Sequence, residues 1–340
     1  MRKLSILFTA LVILLVTASS SKQVTIFMIG DSTMADKDIR NGNTERGWGM
    51  VLQGCFDESI LVDNHALNGR SSKSFINEGH WQEVLDKIKP GDYVFIQFGH
   101  NDEKPKPDRH TTPGTTFDAN LAKFVAETRA KGGNPILFNA VVRRNFYREN
   151  DNSVYDESLR ETTYTEEKIN SDTLIDTHGA YVSAPRNVAH KMNVPFVDAN
   201  KITHDIEQGM GIVGSRKLHM WYKPGENSVI PNGRHDNTHY NIYGAHVVAN
   251  ALADAIAEQV SILKKHRRHY DFVVSKRGKG NFLSLQSAVD AAPSNKKTTI
   301  LILDGKWENP VIEKGKKIEF VKYSGSGIST TVNSELRRSL

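Results

Sequence analysis

Cysteine is almost absent from this sequence of 340 residues, which contains Cys55 and no other. One cysteine cannot form an internal disulfide, and without a cysteine pair the chain lacks the ligands of a zinc ribbon or an iron–sulfur site. Hydrophobic residues make up 38% and charged residues 24% of the chain, with 25 Gly and 11 Pro. These proportions are typical of a folded, soluble protein of one or two domains, and they exclude the collagenous, disordered and multi-span membrane classes.

An excess of positive charge is lacking from most of the chain, although its net charge is +5. Residues 266–340 contain 14 Lys and Arg against 7 Asp and Glu, which leaves 30 against 32 for residues 1–265. The main part of the protein is therefore faintly acidic, and the basic charge lies towards the C-terminus. This distribution gives no support to a polyphosphate-binding face, so we expect no nucleic-acid partner.

The N-terminus has the pattern of an export signal. Arg2 and Lys3 precede an apolar run over residues 6–16, and small residues follow at 17–21. This order is typical of a cleaved signal peptide over residues 1–21, and the run is shorter than the about 20 residues of a permanent membrane anchor. We therefore expect a secreted or periplasmic protein with no stable membrane insertion after cleavage.

Strand and helix patterns alternate through the main part of the chain. Val24–Ile29 is a near-continuous apolar run, typical of a strand buried on both faces of a parallel sheet. A long Ala-rich helix is predicted over Tyr243–Leu263. Such repeating units predict an α/β domain with a doubly wound parallel sheet over residues 22–263. The other predicted strands are Ile60–Val62, Tyr93–Phe98, Ile136–Val142 and Val194–Val197, and the other predicted helices are Trp48–Phe56, His80–Ile88, Phe117–Arg129 and Asp176–Met192.

Polar clusters stand where the predicted strands end, and a fourth lies just before the last helix. In doubly wound sheets, ligands bind outside the carboxyl ends of the strands. The clusters are therefore expected to form one site. They are Gly30–Thr33, Asn64–Ser72, Gly99–Asp102 and His235–His239.

Four short motifs within these clusters occur in an ordered series. They read GDST at Gly30–Thr33, Gly69 within NGRSS, GHND at Gly99–Asp102 and DNTH at Asp236–His239. Together they resemble the SGNH (GDSL-type) hydrolases over about residues 24–262, and their variants look most like the rhamnogalacturonan acetylesterase branch. The resemblance implies a flavodoxin-like three-layer fold. It also implies an exported serine esterase, without a cofactor, that removes O-acetyl groups from pectic rhamnogalacturonan through an acyl-enzyme.

The chemistry needs an activated hydroxyl. Ser32 follows a buried strand through a glycine-containing turn, which predicts an exposed nucleophile. His239 can act as its base, and Asp236 can hold the imidazole in the correct tautomer from three residues away on one short loop. Two alternatives remain: Ser32 as a helix N-cap, and Asp236–His239 as an ordinary polar surface loop.

The family resemblance also implies three oxyanion donors: the backbone N–H groups of Ser32 and Gly69 and the side-chain amide of Asn101. Glycine lets the main chain approach a ligand, and an amide on a loop can aim one N–H inward. The alternatives are an ordinary turn glycine and an Asx turn at Asn101.

Other polar residues in the motifs have competing interpretations. His235 and His239 with Asp236 admit a zinc site, but the surrounding sequence is typical of a loop, so we expect no metal. His100 is a rival base, although packing is the favoured interpretation. Ser71 and Ser72 are predicted to cap the following helix.

The substrate is inferred from the resemblance and from charge. Rhamnogalacturonan carries galacturonate carboxylates, so cations after strand ends are candidate contacts: Arg70, Lys73, Arg143 and Arg144. Each is otherwise a solvated loop charge. Acetylated xylan is the competing substrate, and a non-catalytic carbohydrate-binding protein on the same fold is the alternative of another class. We expect a monomer whose partner is an acetylated pectic polysaccharide.

The C-terminal tail, residues 271–340, follows a predicted basic linker at 264–270. Asp271–Asn309 resembles the start of pectin methylesterases, in which a first helix, here Leu285–Ala292, leads into a parallel β-helix. A β-helix needs at least about three stacked repeats to bury a core. We therefore expect an incomplete β-helix-like segment without methylesterase activity, mobile or poorly packed unless it docks on the main domain.

Overall fold

The computed structural model describes residues 23–148, 167–324 and 326–328. The predicted signal peptide lies outside the described residues. Among those residues, no helix combines the length and the apolar character needed to cross a bilayer.

Strands and helices alternate along most of the main domain, as predicted, with an antiparallel hairpin before its last helix. The strands are β1 (Val24–Gly30), β2 (Ile60–Asn64), β3 (Tyr93–Gln97), β4 (Asn134–Phe138), β5 (Phe196–Val197), β6 (His219–Tyr222), β7 (Arg234–Tyr240), β8 (Phe272–Val274), β9 (Lys297–Ile302), β10 (Lys306–Trp307), β11 (Lys317–Lys322) and β12 (Gly327–Ile328). The helices are α1 (Trp48–Val51), α2 (Ser72–Asn77), α3 (His80–Leu85), α4 (Thr116–Ala130), α5 (Ala180–Met192), α6 (Ala199–Ser215), α7 (Ile242–Gln259), α8 (Ser261–His266) and α9 (Leu285–Ala291). Short 3-10 turns lie at Arg40–Gly42, Leu52–Cys55 and Arg216–Leu218.

Five parallel strands form the central sheet in the order β2-β1-β3-β4-β5. This is the flavodoxin-like order, and it confirms the predicted doubly wound sheet. In β1, Ile26 and Met28 face one hydrophobic core, while Phe27 and Ile29 face the other. The strand is apolar throughout because helices cover both faces of the sheet.

The two cores make the fold three-layered. On one face, Trp48 of α1 and Leu252 of α7 pack against the sheet. On the other face, Trp81 of α3, Phe124 of α4 and Val188 of α5 fill the core. Each helix therefore covers one side of the same five strands, and the loops at their carboxyl ends remain available for a site.

Two predicted helices have different bounds in the structure. The helix predicted over Asp176–Met192 begins at Ala180, because the Asp176 carboxylate accepts the backbone N–H groups of His178 and Gly179 and forms a turn instead. The long C-terminal helix breaks at Val260, whose backbone is extended.

The largest correction concerns the segment that contains Asp236 and His239. We expected a loop there, but residues 234–240 form β7, which pairs antiparallel with β6. The prediction was wrong because the strand is polar and has no apolar alternation. The helix α6 was also missed, since its three glycines disfavour a helix in the sequence pattern.

The C-terminal tail has its own small core. The strands β8, β9 and β11 form one parallel sheet, and β10 pairs in parallel with β12. Side chains of α9 and β9, such as Val289 and Ile300, are buried between them. The tail therefore shows the start of a stacked parallel arrangement, with its first helix where the sequence placed it.

The tail docks on the main domain. Docking was the stated alternative to a mobile or poorly packed tail. A Cβ on Gly54 would lie 3.0 Å from a side-chain methyl of Val273, so this side chain packs closely against the backbone of Gly54. The buried guanidinium of Arg46 donates to the carbonyl of Gly278 at 3.0 Å, and burial lowers the pKa of Arg46 to about 10. These contacts make the tail part of the folded body.

The stretch predicted as a basic linker is also tied to the main domain. It begins inside α8 at residue 264, and both of its arginines are paired. Arg267 binds Asp254 and the carbonyl of Cys55, and Arg268 binds Asp57. The chain therefore passes from the main domain to the tail along a surface of opposite charge.

The start of α7 depends on a close approach between two backbones. A Cβ on Gly244 would lie 1.9 Å from the carbonyl oxygen of Leu218, so Gly244→Ala should lower the free energy of unfolding by about 3 kcal/mol. Gly209→Ala is the matched control: it lies in a helix with nothing near its Cβ, and should raise that free energy by about 0.5–1 kcal/mol. Urea unfolding followed by circular dichroism measures both, and equal effects would contradict the packing argument.

Candidate active site

Ser32 lies in a tight turn directly after β1. The Asp31 carboxylate accepts the backbone N–H of Thr33 at 2.9 Å and its hydroxyl at 2.8 Å, which fixes the turn. Burial raises the pKa of Asp31, and the hydrogen bonds from Thr33 oppose that shift. Ser32 lies at the carboxyl edge of the sheet and is largely buried, with 9% of its surface exposed, whereas the sequence predicted an exposed nucleophile.

The structure brings together three side chains that the sequence places far apart. The Oγ of Ser32 lies 2.8 Å from Nε2 of His239, and Nδ1 of His239 lies 3.1 Å from both carboxylate oxygens of Asp236. Because an ionised carboxylate only accepts, Nδ1 carries the proton and the lone pair of Nε2 faces the serine hydroxyl. In this geometry the imidazole can remove the hydroxyl proton.

A bulge in the hairpin makes this contact possible. Residues three apart in a regular strand point to opposite faces. Here His219 pairs with Tyr240 and Trp221 with His235, so residues 236–239 bulge out opposite Met220. The carboxylate at 236 accepts the backbone N–H groups of residues 238 and 239 at 3.1 and 2.9 Å, which turns the chain and brings the imidazole back to the carboxylate.

The three predicted oxyanion donors follow three neighbouring strands of the sheet. Gly69 has a φ of +73°, a conformation that side-chain-bearing residues rarely adopt. Within the described part of the chain, the backbone N–H groups of Ser32 and Gly69 have no hydrogen-bond acceptor. Asn101 is buried and donates one amide N–H to the carbonyl of Arg70 at 3.1 Å, which leaves its other N–H for a ligand.

The orientation of the Asn101 amide depends on Lys104, which the sequence analysis did not single out. The Lys104 ammonium lies 2.9 Å from Oδ1 of Asn101 and is 9% exposed. An ammonium only donates and the Arg70 carbonyl only accepts, so the amide oxygen must face Lys104. Lys104 therefore keeps the amide nitrogen, and not the oxygen, towards the candidate oxyanion position.

Asp102 ties the loop after β3 to the start of α2. Its carboxylate accepts the hydroxyl of Ser72 at 2.5 Å, the backbone N–H of Ser72 at 3.1 Å and the hydroxyl of Thr111 at 2.9 Å. Burial raises the pKa of Asp102 to about 7, against the effect of those hydrogen bonds. Ser71 caps α2, as predicted, through a reciprocal pair of bonds with Ser74.

His100 lies beside the site without taking the role of the base. Its ring packs edge-on against His178 with 4.5 Å between centroids, and neither ring nitrogen has a hydrogen-bond partner in the residues described. Burial lowers the pKa of His100 well below its usual range, and the nearby charges of His178 and Arg143 add to this effect. His100 is therefore a packed neutral imidazole, in line with the favoured interpretation.

Three of the four predicted substrate contacts retain at least some exposure. Arg70 pairs with Glu78 at 2.8 Å, and the ammonium of Lys73 binds the carbonyl of Pro107 at 2.6 Å. Arg143 is 9% exposed and pairs with Glu103. Each can meet a ligand only by sharing its present partner, and their role as substrate contacts stays a prediction.

The fourth, Arg144, is corrected by the structure. It is fully buried, and its guanidinium binds the carboxylate of Glu167 and the side chain of Asn237. Its backbone N–H also donates to the carbonyl of Asn237 at 2.9 Å. A buried, paired cation cannot contact a polysaccharide, so Arg144 instead holds the strand that carries Asp236 and His239.

The positions of Ser32 and His235 bear on the competing interpretations of the motif residues. Ser32 caps no helix, since the next helix begins at Trp48. The ring of His235 packs edge-on against Trp221, and Nε2 of His235 lies 3.2 Å from the amide of Asn237. In the part of the chain that the structure describes, no three or more His, Cys, Asp or Glu side chains are grouped as metal ligands.

Removing Lys104 should reduce turnover more than substrate binding. In Lys104→Met the Asn101 amide can rotate, so we expect kcat for p-nitrophenyl acetate to fall about 10- to 100-fold, below the 10²–10³-fold loss for a missing oxyanion donor. Exposed Lys106→Met is the control and should leave kcat unchanged. In an Asn101→Ala background the Lys104 substitution should add little, and an additive loss would contradict the positioning role.

Arg144→Met should lower stability rather than substrate affinity. Breaking a buried ion pair leaves Glu167 with Arg216 alone, so we expect a loss of about 3 kcal/mol in the free energy of unfolding. Arg70→Met removes an exposed pair and should cost less than about 0.5 kcal/mol. Urea unfolding gives both values, while a large rise in KM without a loss of stability would restore Arg144 as a substrate contact.

Known proteins resemble this chain in sequence and in fold. The rhamnogalacturonan acetylesterase RhgT of Bacillus subtilis is 35% identical over 258 residues, which are 76% of this chain and 97% of that protein. The rhamnogalacturonan acetylesterase of Emericella nidulans is 29% identical over 68% of this chain and 84% of its own length. The crystal structure of protein YxiM of Bacillus subtilis superposes with a TM-score of 0.53 at 24% identity, covering 70% of this chain and 57% of that chain, which shows a shared fold.

The family match covers both the nucleophile turn and the oxyanion loops. Residues 28–221 match the GDSL-like Lipase/Acylhydrolase family. This range includes Ser32, Gly69 and Asn101, and the sheet order and motif positions agree with it. On this match and on the identity to its relatives, the chain belongs to the GDSL-like Lipase/Acylhydrolase family of SGNH hydrolases.

Proposed function

We propose that this protein is an exported carbohydrate acetylesterase that removes O-acetyl groups from pectic rhamnogalacturonan. Ser32 is the nucleophile, His239 the general base and acid, and Asp236 the group that orients the imidazole. The observation that carries the proposal is the 2.8 Å contact between the serine hydroxyl and Nε2 of His239, with the carboxylate on the opposite ring nitrogen.

The reaction follows from this arrangement in two halves. Oγ of Ser32 attacks the acetyl carbonyl carbon while its proton passes to Nε2 of His239. The tetrahedral intermediate collapses, the ester C–O bond breaks, and the sugar hydroxyl leaves with the proton from Nε2. A water molecule then gives a proton to the same nitrogen and attacks the acetyl-enzyme, which releases acetate and restores the serine.

The negative charge that develops on the carbonyl oxygen needs fixed donors. The backbone N–H groups of Ser32 and Gly69 and the amide of Asn101 are proposed for this role. Gly69 and Asn101 belong to loops that Asp102 and Ser72 tie together, so little reorganisation of these two donors is needed when the charge appears. Preorganised donors of this kind supply about 2.7–4 kcal/mol each in related sites.

Rhamnogalacturonan is proposed because the relatives that match over most of this chain are named rhamnogalacturonan acetylesterases. Arg70 and Lys73 lie just after the proposed oxyanion glycine and retain exposure, which suits a substrate with carboxylate groups. Export is proposed from the basic, apolar and small residues of positions 1–21. An extracellular polysaccharide substrate requires such export.

Ser32→Ala should abolish hydrolysis of p-nitrophenyl acetate. Loss of a triad nucleophile costs about a millionfold in kcat, so kcat of the variant should fall by about that factor. Ser183→Ala, which removes an exposed hydroxyl that bonds the carbonyl of Ala180 on α5, is the control and should keep full activity. Retention of the wild-type rate by purified Ser32→Ala would refute the assigned nucleophile.

The substrate assignment is tested by acetate release from three acetylated polymers. We expect acetylated rhamnogalacturonan to be deacetylated faster than acetylated xylan or acetylated homogalacturonan at equal acetyl concentration. A higher rate on xylan would replace the proposed substrate and leave the mechanism intact. If no polymer or small ester is hydrolysed but the polymer is bound, the non-catalytic carbohydrate-binding alternative applies.

A further inference from the structure

Arg234 lies directly beside the carboxylate of the proposed triad. Residues two apart in a strand share a face, so the side chain of Arg234 in β7 projects alongside that of Asp236. Its Nη2 lies 3.2 Å from Oδ2 of Asp236. The other oxygen, Oδ1, accepts the backbone N–H groups of Thr238 and His239.

A second carboxylate holds Arg234 in this position. Glu45 forms an isolated bridge with Asn241, just beyond the end of β7, and this pairing carries its side chain to the hairpin. Oε2 of Glu45 lies 3.3 Å from Nη2 of Arg234, and Oε1 lies 3.0 Å from the ammonium of Lys37. Lys37, Glu45, Arg234 and Asp236 therefore form a chain of charges. The side chains of Glu45 and Lys37 are 8% and 4% exposed, so solvent screens these charges weakly.

The chain of charges ends at the proposed oxyanion loop. The ammonium of Lys37 donates to Oδ1 of Asn68 at 2.6 Å, and Asn68 precedes Gly69. The charges therefore alternate in sign from the oxyanion loop to the imidazole. Neither Lys37 nor Glu45 belongs to any of the sequence motifs.

We propose that Arg234, held between Glu45 and Asp236, is a positioning residue that fixes the Asp236 carboxylate and sets the pH below which His239 stops acting as a base. This inference rests on the proposed esterase function. Arg234 touches neither the serine nor the substrate position in the contacts described, so it acts through Asp236.

The two charges flanking Asp236 have opposite effects on protonation of the imidazole. The Arg234 cation disfavours a second proton on His239, which keeps the imidazole neutral to lower pH. The Glu45 anion offsets part of that effect by neutralising Arg234. Removing the cation should therefore move the acid limb of activity to higher pH, and removing the anion should move it to lower pH.

Asp31 after β1 and His100 after β3 interact electrostatically with His239. Other charged or titratable groups lie on neighbouring elements: Glu103 and Lys104 after β3, Arg143 and Arg144 after β4, His178 before α5, and His235 on the same strand. All of them remain unchanged in the variants below. A difference in the acid limb between variants therefore reports on the substituted charge.

The test is the pH dependence of kcat/KM for p-nitrophenyl acetate between pH 4 and 9. For Arg234→Met we expect the midpoint of the acid limb to rise by roughly 0.5–1 pH unit and kcat/KM at the optimum to fall about tenfold. For Glu45→Gln we expect the midpoint to fall by a similar amount. Arg234→Lys keeps the charge, so its acid limb should return towards that of the wild type.

Lys201→Met is the matched control, because it removes an equally charged group from an exposed pair on α6. It should leave both the limb and the rate unchanged. An unmoved limb in Arg234→Met, or shifts of Arg234→Met and Glu45→Gln in the same direction, would overturn the inference. If Arg234→Met does not fold, Glu45→Gln decides alone: an unmoved limb in that variant also overturns it.

The same assay separates this inference from the proposed function. If Ser32→Ala retains turnover, the proposed function fails, and the acid limb no longer reports on His239. If Ser32→Ala is inactive and the charge variants leave the limb in place, the proposed function stands and the role of Arg234 fails.

Discussion

A serine hydroxyl becomes a nucleophile only when a neutral imidazole nitrogen faces it, and in the proposed site that state depends on the buried carboxylate of Asp236. The carboxylate accepts hydrogen bonds and cannot donate them, so the imidazole of His239 must turn its protonated nitrogen inward and its lone pair towards Ser32. The bulge that bends residues 236–239 serves this orientation. Few other arrangements would keep the hydroxyl and the base within bonding distance.

Several buried charges around the site are paired, and this pairing explains why Arg144 is unavailable to substrate. A buried ion without a partner costs several kcal/mol, whereas a paired ion can hold two segments together. Arg144 joins Glu167 to the strand of the base, and Arg143 joins Glu103 to His178. The electrostatics of the site are therefore built from neutralised contacts rather than from a free basic surface.

The C-terminal tail shows how a segment with a small core can be ordered by docking. Its parallel strands form two small sheets around a small core. The contact of Val273 with Gly54 and the bond from buried Arg46 to Gly278 attach it to the main domain. Poor packing was expected from the sequence of the tail alone, because that sequence does not show which surface of the main domain covers it.

Much of the fold and the identity of the motif residues followed from the sequence, because both depend on local patterns. A run such as Val24–Ile29 can be buried only in a covered parallel strand, and glycine at position 69 permits a backbone conformation that other residues resist. The hairpin, the burial of Arg144 and the contacts of Lys104 and Arg234 did not follow. Each depends on partners distant along the chain, and polar strands give no periodic signal. The sequence by itself therefore determined which residues could do chemistry and on which kind of scaffold. Only the tertiary structure decided which charges neutralise one another and which groups hold the reacting ones, because Coulomb energies and hydrogen bonds depend on distances that sequence spacing does not specify.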